Sequence, residues 1–279
     1  MSDLTWVRPE SVGELAHRLS REGVIPHGGG TGLLARRLDG AVIADLSALG
    51  LDYLEQKDSS LEIGAMVTYS RLVDHLQATA PDHLLRKSLE HAASAPLRNR
   101  ITIGGSVSMS PLWSSILGPL VALEATVHVV GAEEGSFAIT EYLSEPKLRA
   151  HTAVTGVTVP IDPVWRSHYG RFVRTRFDYP LFTTTIVLKA EGGGVVKARL
   201  VVTGTKNRYA RLLDLEARLA GVSLSDVRIA PEDLGVRMPP RQGYSEEYLL
   251  HRAAVEIERG LHQLAGAGSV RDRREGGDA

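Results

Sequence analysis

Two glycine-rich segments, far apart in the chain, have the composition of ligand-binding loops. The first glycine segment is Gly28–Gly32, with the sequence GGGTG, and the second glycine segment is Thr102–Gly105, inside the stretch Arg98–Ser106. Because glycine has no Cβ, its backbone can lie directly against a ligand. Two such segments in one domain predict one elongated ligand that is held at two places. A plain tight turn is the alternative for each segment alone, and it stays open here.

The first glycine segment also matches a dinucleotide fingerprint, which we reject. Residues Gly30–Ala35 satisfy the pattern G-x-G-x-x-A. A Rossmann unit needs a helix after the glycines, with a crossover of at least about 10–12 residues. Only Leu33–Leu38 is available before Asp39-Gly40 turns the chain into the next strand. The segment can still bind a diphosphate, because successive backbone N–H groups form an anion-binding nest.

Composition bounds the class of protein. The 279 residues are 43% hydrophobic and 23% charged, which are values typical of globular domains. The net charge of -1 gives no reason to expect nucleic acid as a partner. Cysteine is absent, which excludes Cys-bound zinc or iron–sulfur clusters in this chain. No apolar run is long enough to span a membrane and no signal peptide is recognisable, so we expect a cytoplasmic protein.

Alternating short helices and strands are predicted around the glycine segments. Ser11 and Glu14 have the capping-box spacing and open a helix with Leu15 and Leu19 on its apolar face. The predicted strands of the first part are 24–26, 41–46, 61–65, 126–130 and 152–159. Further helices are predicted after Thr68 or Ser70, after Pro81 and over 116–125.

The pattern breaks around residues 160–163, where we place a domain boundary. Residues 1–161 then form one domain with two subdomains, and residues 162–265 form a second, smaller one. In the second domain three strands are predicted, over 171–178, 181–190 and 195–203, with a turn at 192–194. Helices are predicted near 208–220 and 246–265. Residues 266–279 are small and charged, and we expect them to be a disordered tail.

Several stretches together resemble the flavin-binding medium subunit of the molybdenum hydroxylases, the family of carbon monoxide dehydrogenase and xanthine dehydrogenase. The resemblance covers nearly the whole chain and depends on motifs that follow one another at the family's approximate spacing. These motifs are Arg8–Ser11, Gly29–Thr31, Asp45–Ser47, Ile63–Thr68, Leu97–Ser106 and Arg174–Pro180. Each one alone is weak evidence, whereas the ordered set is specific.

The resemblance implies an α+β fold and a flavin cofactor. It implies a two-part FAD-binding domain of the vanillyl-alcohol-oxidase (PCMH) type, followed by a small C-terminal domain with a three-stranded antiparallel sheet and helices. In that family both glycine segments contact the FAD diphosphate. The expected cofactor-binding residues are therefore Gly28, Gly29, Gly30, Thr31, Gly32, Thr102, Ile103, Gly104 and Gly105. No catalytic side chain and no metal ligand is expected, because the flavin carries the chemistry.

Five aromatic and basic residues have both a functional and a structural interpretation. Tyr179 matches a family aromatic near the isoalloxazine ring and is the tenth expected cofactor-binding residue, although it could be an ordinary strand tyrosine. Trp113 could stack on the flavin, but a buried core position is favoured. Arg98 and Arg100 could support the phosphates, but solvated surface positions are favoured. His27, just before the first glycine segment, is expected to be structural.

The chain departs from the family after the second glycine segment. The family continues with N-L-A-H-A-D-P-A-A-D, and this chain has Pro111 and Ser115 in place of the two aspartates and Ser106 in place of the asparagine. Ile101 also stands where the family prefers glycine. These positions serve the isoalloxazine and ribityl end in the family. We therefore expect that the diphosphate-binding residues are intact and that the surroundings of the isoalloxazine and ribityl groups are altered.

The resemblance implies an electron-transfer subunit. Substrate would be oxidised in a large molybdopterin-containing subunit, and electrons would pass through a small iron–sulfur subunit to FAD in this chain. An external acceptor such as NAD or a quinone would then take them. One alternative is a non-redox scaffold subunit that has lost flavin function, which the changes at 106–115 motivate. The other is a free-standing flavin oxidoreductase of the same superfold.

Overall fold

The computed structural model describes residues 4–275 except 21–23, 34–37, 163–164, 177 and 192–193, with side chains up to residue 265. The strands are β1 (Thr5–Val7), β2 (Val24–His27), β3 (Val42–Asp45), β4 (Leu54–Lys57), β5 (Ser60–Gly64), β6 (Thr126–Gly131), β7 (Gly135–Ala138), β8 (Thr152–Pro160), β9 (Arg166–Phe172), β10 (Phe182–Glu191), β11 (Gly194–Thr205) and β12 (Arg208–Arg211). The α-helices are α1 (Val12–Leu19), α2 (Tyr69–Thr79), α3 (Leu84–Leu89), α4 (Ala95–Arg98), α5 (Ile103–Met109), α6 (Leu117–Ala122), α7 (Ile139–Ser144), α8 (Leu213–Leu219) and α9 (Glu246–Glu275).

The chain divides into two compact units, and each unit collects several stretches of sequence. Unit 1 comprises Met1–Pro81, Leu89–Ser110 and Leu123–Ile161. Unit 2 comprises Asp82–Ser88, Pro111–Ala122 and Asp162–Ala279. The last passage between them lies at Ile161, and two short stretches of the first 161 residues are part of unit 2.

Unit 1 contains two sheets with helix α1 between them. The first sheet is parallel, in the order β1-β3-β2, and the second is antiparallel, in the order β4-β5-β8-β6-β7. Leu15 and Leu19 of α1 are buried against Ala44 of the first sheet and against Val130 and Ala153 of the second. The spacing of four residues places both leucines on one face of the helix, so α1 joins the two sheets into one core.

The predicted start of α1 is confirmed. Ser11 caps the helix, because its side chain accepts a hydrogen bond from the Glu14 N–H at 3.1 Å. The Glu14 carboxylate accepts from the N–H of Glu10 at 2.9 Å. Of the two candidate caps for α2, Thr68 is the one used, and its hydroxyl accepts from the Arg71 N–H.

Unit 2 is built on an antiparallel sheet in the order β12-β11-β10-β9, with helices on both faces. On one face, Gly260 of α9 lies against His168 and Ile186. On the other face, Gly118 of α6 lies against Thr185. Since neighbouring residues of a strand point to opposite faces, Thr185 and Ile186 place α6 and α9 on opposite sides of β10.

Three predicted elements of the second part differ in the structure. The strand predicted over 171–178 lies instead at 166–172, because the Arg171 guanidinium donates to the carbonyl oxygens of Arg176 and Asp178 and folds that segment into a turn. Residues 208–211, predicted as the start of a helix, form β12 and give the sheet a fourth strand. Helix α9 continues to Glu275, where we expected a tail from residue 266, and residues 276–279 lie outside the described residues. The predicted turn at 192–194 also falls largely outside them.

Candidate functional site

The first glycine segment follows β2 directly, and His27 shapes it. Gly30 is the one residue of the segment with a left-handed backbone, at a φ of 75°. A Cβ at Gly30 would lie 2.7 Å from His27 Nε2. Both the backbone angle and the imidazole therefore exclude a larger residue at this position. His27 in turn packs edge-on against Trp6, with ring centroids 5.0 Å apart, which supports the expected structural role.

The backbone N–H groups of the first glycine segment are candidate donors to a ligand. Over the residues that the structure describes, no acceptor is found for the N–H groups of Gly28, Gly29, Gly30, Thr31 or Gly32. The carbonyl oxygen of Gly30 accepts from the Leu33 N–H at 3.1 Å, which closes the turn. Neither glycine segment contains an acidic side chain. A diphosphate is bound by N–H donors that are free and have no carboxylate beside them, and the first glycine segment offers both within the described residues.

The second glycine segment is the start of a helix, and its donors are occupied. The N–H groups of Ile103 and Gly104 donate to the carbonyl oxygens of Val67 and Ala65, each at 2.9 Å. The N–H of Gly105 donates to the hydroxyl of Thr102, which caps α5, at 3.2 Å. This segment is therefore anchored to residues 65–67, which follow β5. Its contribution to a ligand would be the exposed backbone of Gly105, which carries no side chain.

Gly104 is required by packing. A Cβ at this position would lie 2.6 Å from the Cβ of Ala65 and 3.0 Å from its carbonyl oxygen. Contacts below 3.0 Å cannot be relieved without moving backbone when the neighbouring atom belongs to a short, buried residue. The second glycine segment can thus approach Ala65, just after β5, only because residue 104 has no side chain.

The structure brings the two glycine segments together through Arg100. The Arg100 guanidinium donates to the Gly29 carbonyl oxygen from Nε at 3.1 Å and from Nη2 at 2.9 Å. A Cβ at Gly29 would lie 1.5 Å from the Arg100 carbonyl oxygen. Arg100 lies at an exposed position, as favoured from the sequence, and both its side chain and its backbone also hold the first segment. Arg98 likewise donates to a carbonyl oxygen, that of Ala93.

Three further side chains complete the contact between the segments. A Cβ at Gly28 would lie 3.0 Å from Thr102 Oγ1 and 3.3 Å from Met66 Sδ. A Cβ at Gly32 would lie 1.9 Å from Met109 Sδ. The sequence pattern identified the glycines and offered Arg100 only as a candidate support of the phosphates, and it did not identify the two methionines or the contact of Arg100 with Gly29. No local signal marks these residues, because each meets the first segment only in the folded chain.

Tyr179 lies in unit 2, outside any strand, and contacts Trp113. Its side chain is 63% exposed, and the two ring centroids are 4.9 Å apart at an angle of 39°. The ordinary strand position for Tyr179 is therefore wrong. The core position favoured for Trp113 is wrong as well, since this residue is 44% exposed. The pair offers an exposed aromatic surface within unit 2.

Ser115, one of the positions where the chain departs from its family pattern, is buried beside a tyrosine. Burial raises the pKa of Tyr169 to about 12, and the nearby hydroxyls of Ser115 and Thr183 partly oppose that rise. Ser115 itself is almost fully buried. An aspartate here would be a desolvated carboxylate, which is costly without a paired cation. Serine at this position suits the surroundings that the rest of unit 2 provides.

Metal and membrane features are not found in the part of the chain that the structure describes. Among those residues no group of three or more His, Asp or Glu side chains could hold a metal ion. None of the described helices is long and apolar enough to cross a bilayer.

Comparisons with known proteins identify relatives over most of the chain. A family model described as the FAD binding domain in molybdopterin dehydrogenase matches residues 2–162. The glyceraldehyde dehydrogenase medium chain of Sulfolobus acidocaldarius is 24% identical, over 80% of this chain and 83% of its own length. The nicotine 6-hydroxylase medium subunit of Paenarthrobacter nicotinovorans is 29% identical, over 67% of this chain and 68% of its own length.

A solved structure shares the whole fold. A chain of CO dehydrogenase from Oligotropha carboxidovorans matches with a TM-score of 0.84 at 21% identity, over 95% of this chain and 98% of its own length. The likeness extends through both units.

Proposed function

The chain belongs to the family of FAD-binding domains of molybdopterin dehydrogenases, and from that membership we propose that it relays electrons inside a larger complex. It is an oxidoreductase subunit with FAD as its cofactor. The α+β fold and the flavin cofactor that were predicted from the sequence are therefore confirmed. In the proposed complex a large molybdopterin-containing subunit oxidises the substrate. A small iron–sulfur subunit passes the electrons to this chain, and NAD or a quinone takes them away.

The observation that supports this proposal is the set of unused N–H groups at Gly28–Gly32. A diphosphate carries several acceptor oxygens and two negative charges, and hydrogen bonds to charged acceptors are the strong ones. Gly28, Gly29, Gly30, Thr31 and Gly32 would donate to the FAD diphosphate. Thr102, Ile103, Gly104 and Gly105 would hold the first segment in position and leave room for the ligand. FAD, when bound, supplies the redox chemistry, since it takes up and releases one or two electrons.

Tyr179 is proposed as a contact of the isoalloxazine ring. Its exposure and its aromatic partner Trp113 support this role, because planar rings stack favourably on exposed aromatic side chains. The replaced aspartates at Pro111 and Ser115 remove two negative charges from positions that the family uses near the ring. We propose that this raises the reduction potential of the bound flavin, since removing nearby negative charge favours electron uptake.

An absorption spectrum with and without added FAD tests the proposal, and one variant locates the site. The purified chain is expected to bind FAD and to lose the flavin bands on reduction by dithionite. Gly29→Ala places a Cβ on the Arg100 carbonyl oxygen and is expected to weaken FAD binding by at least about a hundredfold, in the range of a lost set of charge-assisted hydrogen bonds.

Gly13→Ala is the matched control for this variant. A Cβ at Gly13 meets nothing closer than the Ser11 hydroxyl at 4.0 Å, and FAD binding should stay unchanged. A folded wild-type chain that takes up no FAD at high concentration would overturn the proposal in favour of the scaffold subunit. Purification without large and small partner chains from the native source would instead favour the free-standing oxidoreductase.

A further inference from the structure

The side chain of Met109, at the end of α5, rests on the first glycine segment. Its Sδ lies 1.9 Å and its Cε 2.7 Å from the place that a Cβ on Gly32 would occupy. The sulfur therefore touches the Gly32 backbone directly. Met109 is 47% exposed, whereas Met238 is fully buried. Met66 also contacts the segment, at Gly28, but it is only partly exposed, so among the methionines that the structure describes Met109 combines this contact with the greatest exposure.

We propose that Met109 is a modification site, at which oxidation of the thioether by hydrogen peroxide weakens diphosphate binding by Gly28–Gly32. The inference rests on the proposed function, because it assigns that segment to FAD. Peroxide is the oxidant we name, and methionine sulfoxide is the product.

The reaction is a transfer of one oxygen atom. The Sδ lone pair attacks one oxygen of hydrogen peroxide, an S–O bond forms and the O–O bond breaks. The proton on the transferred oxygen moves to the departing hydroxide, which leaves as water. Sulfur is oxidised by two electrons, and the peroxide is reduced by two electrons. The apolar side chain becomes a polar hydrogen-bond acceptor.

The new oxygen has no room between the sulfur and Gly32. The backbone of Met109 cannot retreat easily, because the Ser110 N–H donates to the Ser106 carbonyl oxygen at 3.0 Å and closes α5 there. The oxidised side chain therefore either rotates from Gly32 into solvent or displaces the glycine segment, and both change the surroundings of the segment. The sulfoxide oxygen would also accept a hydrogen bond from N–H groups of residues 28–32, for which no acceptor is found within the described chain. It would compete with the phosphate oxygens for the same donors.

The test oxidises the whole protein with hydrogen peroxide, in the presence and absence of FAD. Peptide mass spectrometry measures sulfoxide at each methionine, and a fluorescence titration measures the Kd for FAD. We expect Met109 to oxidise before Met66 and Met238, and the Kd to rise by about tenfold, as for the loss of one hydrogen bond to a charged group. Saturating FAD should slow the oxidation of Met109, because a diphosphate bound to Gly28–Gly32 would restrict the access of peroxide to the sulfur that rests on this segment.

Two variants and a repair step assign the effect to Met109. Each protein is compared with itself before and after peroxide. In Met109→Leu the Kd should not change with peroxide, because leucine cannot be oxidised. Met66→Leu keeps Met109 and should respond as the wild type does. Methionine sulfoxide reductase should restore the original Kd of the oxidised wild type.

The outcomes separate this inference from the proposed function. Stoichiometric sulfoxide at Met109 with an unchanged Kd overturns the inference and leaves FAD binding intact. A response that survives in Met109→Leu, or one that disappears in Met66→Leu, overturns it too. An untreated wild type that binds no FAD overturns the proposed function, and this inference with it.

Discussion

At the scale of single residues, Arg100 does the most to define the candidate site. Its guanidinium holds the Gly29 carbonyl oxygen, and its own carbonyl oxygen occupies the space that a side chain at residue 29 would need. The same residue thus fixes the first glycine segment from both sides. Because the anchored group is a carbonyl, the neighbouring N–H groups are left for a ligand.

Arg100→Ala should weaken FAD binding without unfolding the protein. The variant removes two hydrogen bonds that an exposed guanidinium donates. We expect the Kd for FAD to rise about tenfold, which corresponds to the free-energy contribution of charge-assisted hydrogen bonds. Arg71→Ala is the control, because Arg71 is an exposed arginine of the same unit that pairs with Asp52 at 2.6 Å. Equal FAD affinity in both variants, measured by fluorescence titration, would contradict the role of Arg100.

His128 makes the stability of unit 1 depend on pH. Burial lowers the pKa of His128, and the charge of Glu62 partly opposes that effect. Its ring nitrogens contact the hydroxyls of Ser136 at 2.7 Å and Thr158 at 2.8 Å. The folded state therefore favours the neutral ring, so the unfolded state binds more protons as the pH falls through the usual histidine range near about 6.5.

We therefore expect the free energy of unfolding to fall as the pH drops below about 6.5, and His128→Asn to remove part of that slope. Urea unfolding at several pH values between pH 7 and pH 5, about the usual range of histidine titration, measures how the free energy of unfolding depends on pH. Asparagine keeps a polar side chain that can bond to Ser136 or Thr158. Identical slopes in the wild type and the variant would show that His128 does not contribute.

At the scale of elements, close contacts of glycine set how the helices of unit 2 meet the sheet. A Cβ at Gly118 of α6 would lie 2.7 Å from Thr185 Oγ1 and 3.3 Å from Thr203 Cγ2. Thr185 is fully buried, and no hydrogen-bond partner is found for its hydroxyl among the described residues. The hydroxyl is therefore a steric neighbour of α6 and contributes little as a hydrogen-bonding group.

Gly118→Ala should destabilise the protein by about 1–3 kcal/mol, the usual cost of overpacking a core. Thr185→Ala removes the clashing oxygen, so the double variant should recover most of that loss. Thermal or urea unfolding of the two single variants and the double variant gives the interaction energy. Simple additivity of the two effects would show that the two residues do not meet as described.

Some secondary-structure elements could be predicted from the sequence, and others could not. Helix α1 was predictable because Ser11 and Glu14 signal its start within four residues, and the strands around it alternate locally. Strand β9 was misplaced because Arg171 donates hydrogen bonds to the carbonyl oxygens of Arg176 and Asp178, which no local pattern reveals. Strand β12 was missed because its pairing with β11 decides its conformation. The glycines of the site were visible in the sequence, whereas Arg100 and Met109 become part of it only through tertiary contacts.

At the scale of the whole molecule, the two units share the chain in alternation. The chain passes from one unit to the other after Pro81, Ser88, Ser110, Ala122 and Ile161. The matched family model ends at residue 162, near the last passage. Yet residues 82–88 and 111–122, which lie inside that match, contribute buried apolar side chains to unit 2. These include Leu84, Leu85, Leu117, Leu120 and Val121.

A fragment of residues 1–161 is therefore expected to aggregate or to bind the dye ANS, even though its boundary follows the matched family domain. Its stretches 82–88 and 111–122 would lose their partners in residues 162–279 and expose apolar surface. Light scattering and dye fluorescence of the fragment, compared with the full chain, measure this. A soluble fragment that unfolds cooperatively would contradict it.

The alternation of the two units also constrains how such a gene can change. A domain encoded in one uninterrupted stretch can be duplicated, moved or fused by a single recombination event. Here a breakpoint at any one position separates residues that belong to the same core. Ancestral shuffling of residues 1–161 without residues 162–279 would have left the core of unit 2 incomplete. We therefore expect the two units to be inherited together and to diverge as one evolutionary block.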